Sequence, residues 1–218
     1  MPPPYCYDYP RPTVTVDLAI FAISADELRV LLIRRRNDPY AGYWALPGGF
    51  LEINELIEIG ARRELKEETG LDAPSTIKFL GVYSDPSRDP RGRTISMAHA
   101  AVLRGEPPIV SGRDDASEAA WRLARSGRGI LAFDHEPMLD QAIRWLHDEV
   151  RSRSLGLELL PEEFDESDVR AMYRALFDST SGASQWLRRM LKSGWIESNA
   201  GSSRQYRVSK PSGLDSAR

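Results

Sequence analysis

Three glutamates in the segment from residue 55 to residue 71 could bind a divalent cation. Glu64, Glu67 and Glu68 have the i, i+3, i+4 spacing that places side chains on one face of a helix. Clustered carboxylates repel one another, so they need either wide solvation or a compensating cation. Hard oxygen ligands at this density suit Mg²⁺ or Mn²⁺, which prefer carboxylates together with phosphate oxygens. For an arbitrary cluster of this kind, an ordinary solvated acidic helix face is the alternative.

The residues around the glutamates follow a longer pattern. Residues 48–71 read GGFLEINELIEIGARRELKEETGL, and from Gly49 they match G-x5-E-x7-R-E-U-x-E-E-x-G-U at every position, where U is a bulky aliphatic residue. At average residue usage, a chance match is on the order of one in a billion per starting position. The segment is therefore identified as the signature of the Nudix hydrolases.

The resemblance implies an α/β fold, a Nudix α/β/α sandwich around a mixed sheet, with the signature forming a loop–helix–loop. It also implies an enzyme that uses Mg²⁺ (or Mn²⁺) to hydrolyse a nucleoside diphosphate linked to another moiety. Glu55 and Arg63 would orient the helix and its loop. The metal ligands that the resemblance implies are Glu64, Glu67, Glu68 and the carbonyl group of Gly48.

Further side chains are candidates for the base that activates water and for the substrate site. Glu64 serves as the base in some relatives, and the loop acids Asp115 and Glu118 are weaker candidates, because acids in a loop are usually only solvated. Trp44 could stack on adenine, although packing is the favoured role. The candidate phosphate or ribose contacts in an Asp/Pro/Arg-rich loop are Arg88, Arg91 and Arg93, unless these charges are merely solvated.

The resemblance covers roughly residues 9–150. The stretches YPRPTVTVDL, SDPSRDPRGRTISMA and LAFDHEPML resemble the Nudix-related transcriptional regulators of bacterial NAD metabolism and their ADP-ribose pyrophosphatase relatives. Every signature carboxylate is present, which favours an active hydrolase of ADP-ribose-type nucleotides that regulates NAD or sugar-nucleotide metabolism. The alternative is a repressor that senses ADP-ribose without hydrolysing it.

The elements that must position these residues follow from the hydrophobic pattern. The first two strands should form a hairpin, and the signature helix should stop at Gly70. We predict strands over 13–24, 28–35, 77–83 and 94–103, helices over 55–69 and 136–153, and loops over 37–48 and 105–116.

The composition changes near residues 152–157, which divides the chain into a Nudix domain (9–152) and a C-terminal domain (155–212). Residues 180–218 carry seven basic and two acidic residues. A helix, a turn, a basic helix and a hairpin follow in the order of a winged helix-turn-helix, whose second helix would enter the major groove of duplex DNA. A dimerisation appendage is the alternative. The candidate DNA contacts are Gln185, Arg188, Arg189, Lys192, Arg204 and Arg207.

This C-terminal segment also resembles the DNA-binding domain of the same regulators. Relatives commonly carry an Asn-Phe-Arg-Arg-type run where this chain has Gln185-Trp186-Leu187-Arg188, so the operator sequence is left open. Because winged helices usually read paired half-sites, we expect a homodimer, with the N-terminal strands as its contact.

Composition excludes several classes of protein. The chain has 218 residues, 41% of them hydrophobic, and a formal net charge of −3, so it is neither disordered nor strongly charged. No apolar run approaches the roughly 18 residues of a membrane span, and the N-terminus does not have the pattern of a secretory signal. The single cysteine, Cys6, suits a reduced, cytoplasmic protein.

Overall fold

A mixed seven-stranded sheet forms the centre of residues 13–152, which we call the N-terminal unit. The computed structural model describes residues 8–126, 129–198 and 205–209. The strands are β1 (Thr13–Ser24), β2 (Glu27–Arg35), β3 (Trp44–Ala45), β4 (Gly48–Phe50), β5 (Lys78–Tyr83), β6 (Thr94–Val102) and β7 (Ala116–Leu123). The order is β3-β2-β1-β6-β5; β4 also pairs with β1, and β7 also pairs with β2. The β1–β6 pair is parallel and the others are antiparallel.

One helix covers each face of this sheet. The N-terminal unit has α1 (Ile57–Thr69) and α2 (His135–Ser152). Alternate residues of β1 point to opposite faces, so Leu18 packs in the cluster that contains Leu65 of α1. Phe21 packs in the cluster that contains Leu139 of α2. The predicted α/β/α sandwich is confirmed.

The position of β1 bears on the expected dimer contact through the N-terminal strands. β1 lies inside the sheet, paired with β2 and β4 on one side and with β6 on the other. β2 is likewise flanked by β1, β3 and β7. Because the ladder groups of both strands are used within the chain, the N-terminal strands offer no free edge for a second copy.

Three strands lie in or beside segments that were predicted as loops. β3 and β4 are only two and three residues long, which is too short for a periodic pattern. β7 contains three alanines, of which Ala116 and Ala119 are buried. Alanine lacks the β-branched signal of a strand, so the partner β2 decides its conformation.

Residues 155–209, the C-terminal unit, form two helices and a three-stranded sheet. The elements are a 3₁₀ helix (Leu155–Leu159), β8 (Glu163–Asp165), α3 (Glu166–Phe177), α4 (Ala183–Lys192), β9 (Ile196–Ser198) and β10 (Gln205–Val208). The sheet order is β8-β10-β9 and all pairs are antiparallel. The predicted order of helix, turn, helix and hairpin is confirmed, and β8 is an addition to it.

The predicted boundary near residues 152–157 is a packed segment rather than an exposed linker. Leu155, Leu157 and Leu159 are buried. They belong to one apolar cluster that also contains Leu146 of α2 and Trp186 of α4. The two units therefore share a hydrophobic core.

Helix α3 begins with a capping box. The carboxylate of Asp165 accepts hydrogen bonds from the backbone N–H groups of Ser167 (2.7 Å) and Asp168 (3.2 Å). The carboxylate of Asp168 accepts one from the Asp165 N–H at 2.8 Å. These bonds satisfy amide groups that the helix itself leaves without partners.

Loss of this cap has a predictable cost. We expect Asp165→Ala to lower the free energy of unfolding by about 1 kcal/mol, since an N-cap acceptor is lost. Urea denaturation would measure it, and Asp165→Asn, which keeps the acceptor, is the control. Equal stability of the alanine variant and the wild type would contradict this account.

Within the described ranges, no helix combines the length and the apolar character that a membrane span requires. Cys6 lies outside the described residues, as do Arg204 and most of the tip of the predicted hairpin.

Candidate active site

The signature segment forms one wall of a cleft of about 240 Å³ in the N-terminal unit. The signature helix is α1, which ends at Gly70, where the backbone takes the left-handed conformation (φ 75°) that favours glycine. The signature residues that line the cleft are Gly48, Gly49, Phe50, Arg63, Glu64, Glu67 and Glu68.

Arg63 organises the carboxylates around it. Its Nε and Nη2 bind the two oxygens of Glu55 at 2.8 and 3.0 Å. Its Nη1 donates to Glu64 Oε1 (2.8 Å) and to Glu67 Oε2 (2.9 Å). Nη2 also donates to the carbonyl oxygen of Phe50 at 3.0 Å. Arg63 thus ties the loop to the helix, and Glu55 acts through it from outside the cleft.

Glu64 and Glu68 are carboxylates held away from water. Glu68 is 4% exposed, and its Oε2 accepts a hydrogen bond from the Gly48 N–H at 2.9 Å. Burial raises the pKa of Glu68 well above its usual value, and the nearby charge of Glu64 adds to the effect. Burial also raises the pKa of Glu64. A Cβ atom at Gly49 would lie 2.5 Å from Glu64 Oε1, so only glycine leaves room for this carboxylate.

The oxygen atoms of the signature carboxylates fit a hard divalent cation, although they do not converge on a single point in this structure. All candidate donors in this part of the cleft are oxygens, and the buried charge of Glu68 has no cation bound directly to it among the described contacts. Among the described residues, no three His, Cys, Asp or Glu side chains converge to hold a metal. Glu64 and Glu67 are instead drawn to Arg63. Each of these two carboxylates gives one oxygen to Arg63, which leaves its other oxygen for a cation.

The three arginines of the Asp/Pro/Arg-rich loop have different roles. Arg88 is buried and binds Asp134 through Nε (2.9 Å) and Nη2 (2.6 Å), so its charge is already neutralised. Arg91 lines the cleft and binds Asp89. Arg93 is exposed, donates to the Ser84 carbonyl and does not line the cleft. Of the three, Arg88 and Arg91 line the cleft and Arg93 does not.

The aromatic residues that line the cleft do not include Trp44, the predicted one. Trp44 packs against the core, with the guanidinium of Arg122 4.6 Å from its ring centre, and it does not line the cleft. Phe50 and Phe133 line it instead. The guanidinium of Arg91 lies 5.1 Å from the ring of Phe50 and 5.6 Å from that of Phe133. Trp44 therefore has the packing role that the sequence favoured.

The two candidate loop bases are separated by the fold. Asp115 lines the cleft and accepts a hydrogen bond from Asn37 Nδ2 at 2.9 Å. Its neighbour Asp114, which the sequence did not single out, lines the cleft as well. Glu118 lies on β7, 3.8 Å from Arg34, and is not part of the cleft. Asp115 remains a candidate base, and Glu118 does not.

A buried polar network under the cleft was not predicted. His135 Nδ1 accepts a hydrogen bond from the Leu46 N–H at 2.9 Å, which leaves the proton of the neutral ring on Nε2. Nε2 lies 3.4 Å from Asp17, whose other oxygen accepts from the Ser96 hydroxyl. Burial lowers the pKa of His135. Each residue comes from a different element, so no local pattern could have indicated the network.

His135 should make the protein sensitive to acid. Its pKa is lower in the folded chain than the ordinary value of 6.5, so the folded state excludes a proton that the unfolded state binds. Its contribution to stability is complete above pH 6.5 and is lost as the pH falls through the lower folded-state pKa, by at most about 1.4 kcal/mol per pH unit. His135→Asn, which keeps an acceptor for Leu46, is expected to reduce the loss of stability between pH 7 and pH 5. The thermal midpoint across this range would measure it, and an unchanged pH profile would contradict it.

The candidate DNA contacts in the described part of the C-terminal unit divide into two groups. Gln185, Arg188 and Lys192 are exposed on α4, and Arg207 is exposed on β10, where its Nε binds Glu197 at 2.6 Å. Arg189 is half-buried and donates to the carbonyl oxygens of Arg151 and, at 3.3 Å, Val150. Arg189 is therefore corrected to a contact between the units, because α4 turns this side towards the end of α2.

Comparison with known proteins is consistent with this geometry. The model of the NUDIX domain matches residues 14–146. An ADPR responsive transcriptional repressor, NtrR, from Acinetobacter baylyi is 33% identical over 193 residues, which cover 87% of this chain and 76% of that protein. An ADP-ribose pyrophosphatase from Methanocaldococcus jannaschii is 44% identical over 138 residues, covering 63% of this chain and 76% of the relative.

Two crystal structures of NrtR from Shewanella oneidensis are also similar. The NUDIX domain complexed with ADP ribose has a TM-score of 0.59 and 31% identity, and the match covers 64% of this chain and 94% of that one. The protein complexed with a 27mer DNA has a TM-score of 0.73 over 91% of this chain and 94% of that one. Its identity is 24%, so this second likeness shows a shared fold across both units.

Proposed function

Since this chain belongs to the NUDIX family, we propose that it is a DNA-binding regulator whose N-terminal unit binds and hydrolyses ADP-ribose-type nucleotides. The observation that carries the proposal is the cleft in which Gly48, Gly49 and three signature carboxylates meet. The two relatives named for ADP-ribose support the choice of nucleotide.

The cleft residues suit a charged, partly aromatic ligand. Glu64, Glu67, Glu68 and the Gly48 carbonyl would hold Mg²⁺, which when bound neutralises pyrophosphate charge and activates water. Arg91 would bind phosphate, since a guanidinium matches its geometry. Phe50 and Phe133 offer ring faces for adenine. The Thr15 hydroxyl, buried at the cleft without a hydrogen-bond partner in the described ranges, is a further group for a ligand to satisfy.

Proton transfer would fall to carboxylates in the same cleft. A base works best when its pKa lies near the operating pH, and burial raises the pKa of Glu64 in that direction. Asp115 is the second candidate, since it lines the cleft and its carboxylate accepts a hydrogen bond from Asn37. Arg63 would position Glu64 and Glu67 without contacting the reacting atoms.

The C-terminal unit would bind duplex DNA as a winged helix-turn-helix. Gln185, Arg188 and Lys192 are exposed on the second helix, which is the element that enters the major groove in such domains. Paired half-sites require two copies, so we propose a homodimer, and light scattering at micromolar concentration should give a mass near twice the 24.5 kDa of the chain. A monomer would contradict the two-fold arrangement.

The experiment that tests the enzymatic part is a panel of nucleotides incubated with Mg²⁺ and assayed for phosphate-ester products. We expect ADP-ribose to be hydrolysed to AMP and ribose 5-phosphate, and nucleoside triphosphates to be poor substrates. Absence of turnover on every member would reject the hydrolase.

The second candidate function is a repressor that senses ADP-ribose without hydrolysing it. The ion pairs of Arg63 with Glu64 and Glu67 favour this second function, because they compete with a metal for the same carboxylate groups. One measurement separates the two candidates. A sensor binds ADP-ribose, as measured by calorimetry, but the amount of ADP-ribose in the sample stays constant over hours. A hydrolase consumes it.

A further inference from the structure

A second cavity, of about 210 Å³, lies between the two units and away from the signature cleft; we call it the joint cavity. Its walls come from α2, the 3₁₀ helix, the edge of the large sheet and α4 with the turn that follows it. The residues used below are Trp145, Glu149, Arg189, Met190 and Trp195.

Three buried polar atoms that face no hydrogen-bond partner belong to residues lining this cavity. They are Trp145 Nε1, Glu149 Oε2 and Arg189 Nε, each without a partner among residues 8–126, 129–198 and 205–209. Native proteins satisfy nearly all such atoms, so three of them at one cavity indicate a missing ligand.

The residues that carry these three atoms are also linked through helix α2. Trp145 and Glu149 are one helical turn apart on α2, so they share a face. Arg189 uses its two Nη groups on the carbonyl oxygens that end the same helix, which leaves Nε. Glu149 Oε2 lies 3.6 Å from Arg153 Nε in an ion pair but has no hydrogen bond in the described part of the chain.

The chemistry of these groups limits the ligand. Two N–H donors, Trp145 Nε1 and Arg189 Nε, call for an acceptor oxygen, and Glu149 Oε2 calls for a donor. The charged residues that line the cavity are of both signs, with Lys78, Arg153 and Arg189 against Glu149 and Glu158, so the ligand should be uncharged. Trp145, Met190 and Trp195 provide apolar and aromatic surface for a flat ring.

We propose that the joint cavity binds an uncharged, single-ring molecule bearing a primary carboxamide. The carbonyl oxygen accepts from Trp145 Nε1 and Arg189 Nε, and the amide N–H donates to Glu149 Oε2. The volume lies below the ~300–1,000 Å³ of sites for drug-sized ligands, which restricts the ligand to one ring.

The test uses the full-length protein and three probes of similar size: benzamide, acetophenone and benzoate. Acetophenone lacks the N–H donor, and benzoate is an anion. Indole N–H signals are followed by ¹H–¹⁵N NMR, and Trp145→Phe identifies the signal of Trp145. Trp121→Phe is the matched control, because Trp121 Nε1 already donates to the Pro108 carbonyl at 2.9 Å.

Benzamide is expected to shift the Trp145 signal saturably and to leave the Trp121 signal in place. Acetophenone should bind at least tenfold more weakly, and benzoate should not bind. Benzamide should raise the thermal midpoint of the wild type and of Trp121→Phe, but not of Glu149→Leu, which lacks the acceptor.

The comparison of probes on the wild type needs no variant, so it stands even if a variant fails to fold. No shift with benzamide would overturn the proposal and assign the three atoms to bound water. An equal response to acetophenone or a stronger response to benzoate would overturn the carboxamide assignment.

Discussion

Replacing Glu68 by glutamine is expected to lower Mg²⁺-dependent hydrolysis of ADP-ribose by on the order of 10²–10³-fold, because the site loses a charged metal ligand whose contribution is several kcal/mol. The same change is expected to raise the stability of the metal-free protein by about 1 kcal/mol. A buried amide costs less than a buried carboxylate, and it keeps an acceptor for the Gly48 N–H.

The stability effect has a defined dependence on pH. The pKa of Glu68 is raised in the folded state, so the carboxyl group favours folding below its unfolded pKa, near 4.5, and this contribution is lost as the pH rises through the folded value. The advantage of Glu68→Gln should therefore grow from pH 4.5 to neutral pH, as measured by thermal unfolding in the presence of a chelator.

Glu58→Gln is the matched control, since Glu58 is exposed on the first turn of the same helix and does not line the cleft. It should change neither turnover nor the pH profile. Wild-type turnover by Glu68→Gln would refute the metal assignment, whereas lower stability would refute the account of the buried charge.

Replacing Arg188 by alanine is expected to weaken binding of duplex DNA by about 5- to 150-fold if Arg188 reads a base, which corresponds to 1–3 kcal/mol. If Arg188 contacts a phosphate, all sequences should weaken alike, and the slope of log K against log salt should change by about 0.9. Fluorescence anisotropy with a salt series distinguishes the two roles.

Two other arginines make this prediction specific. Arg170→Ala removes an exposed charge from α3, where it pairs with Glu166 at 2.8 Å, and should leave the DNA affinity unchanged. Arg189→Ala should lower the thermal midpoint and leave the salt slope unchanged, because Arg189 binds the end of α2. A normal slope for Arg188→Ala together with a reduced one for Arg189→Ala would reverse the two assignments.

The parts of the molecule that could be predicted from the sequence are those that local patterns determine. Gly48, Gly49 and the glutamates lie within one segment, so their spacing places them in one site whatever surrounds them. The strands β1 and β2 and both helices of the N-terminal unit were predicted to within a few residues, because apolar spacing sets their buried faces.

The errors concern contacts between distant residues. The sequence could not show that Arg88, which lines the cleft, is paired with Asp134, 46 positions away. Arg189 was expected on DNA, but it binds carbonyl groups 38 and 39 positions away. The sequence does not show whether an arginine side chain binds a phosphate, a carboxylate or the carbonyl groups at a helix end. Only the fold determines its partner.

Helix α2 connects the cleft of the N-terminal unit with helix α4 of the C-terminal unit. Asp134, which precedes its first turn, binds Arg88 beneath the cleft, and the carbonyl groups near its last turn bind Arg189 of α4. Its 18 residues span about 27 Å, and a helix of this length moves nearly as a rigid rod. A ligand that displaces Asp134 must therefore either break one of these contacts or tilt α2, and α4 would move with it. Under the proposed function, a nucleotide in the cleft could then affect DNA binding without unfolding, through a small rotation of one helix.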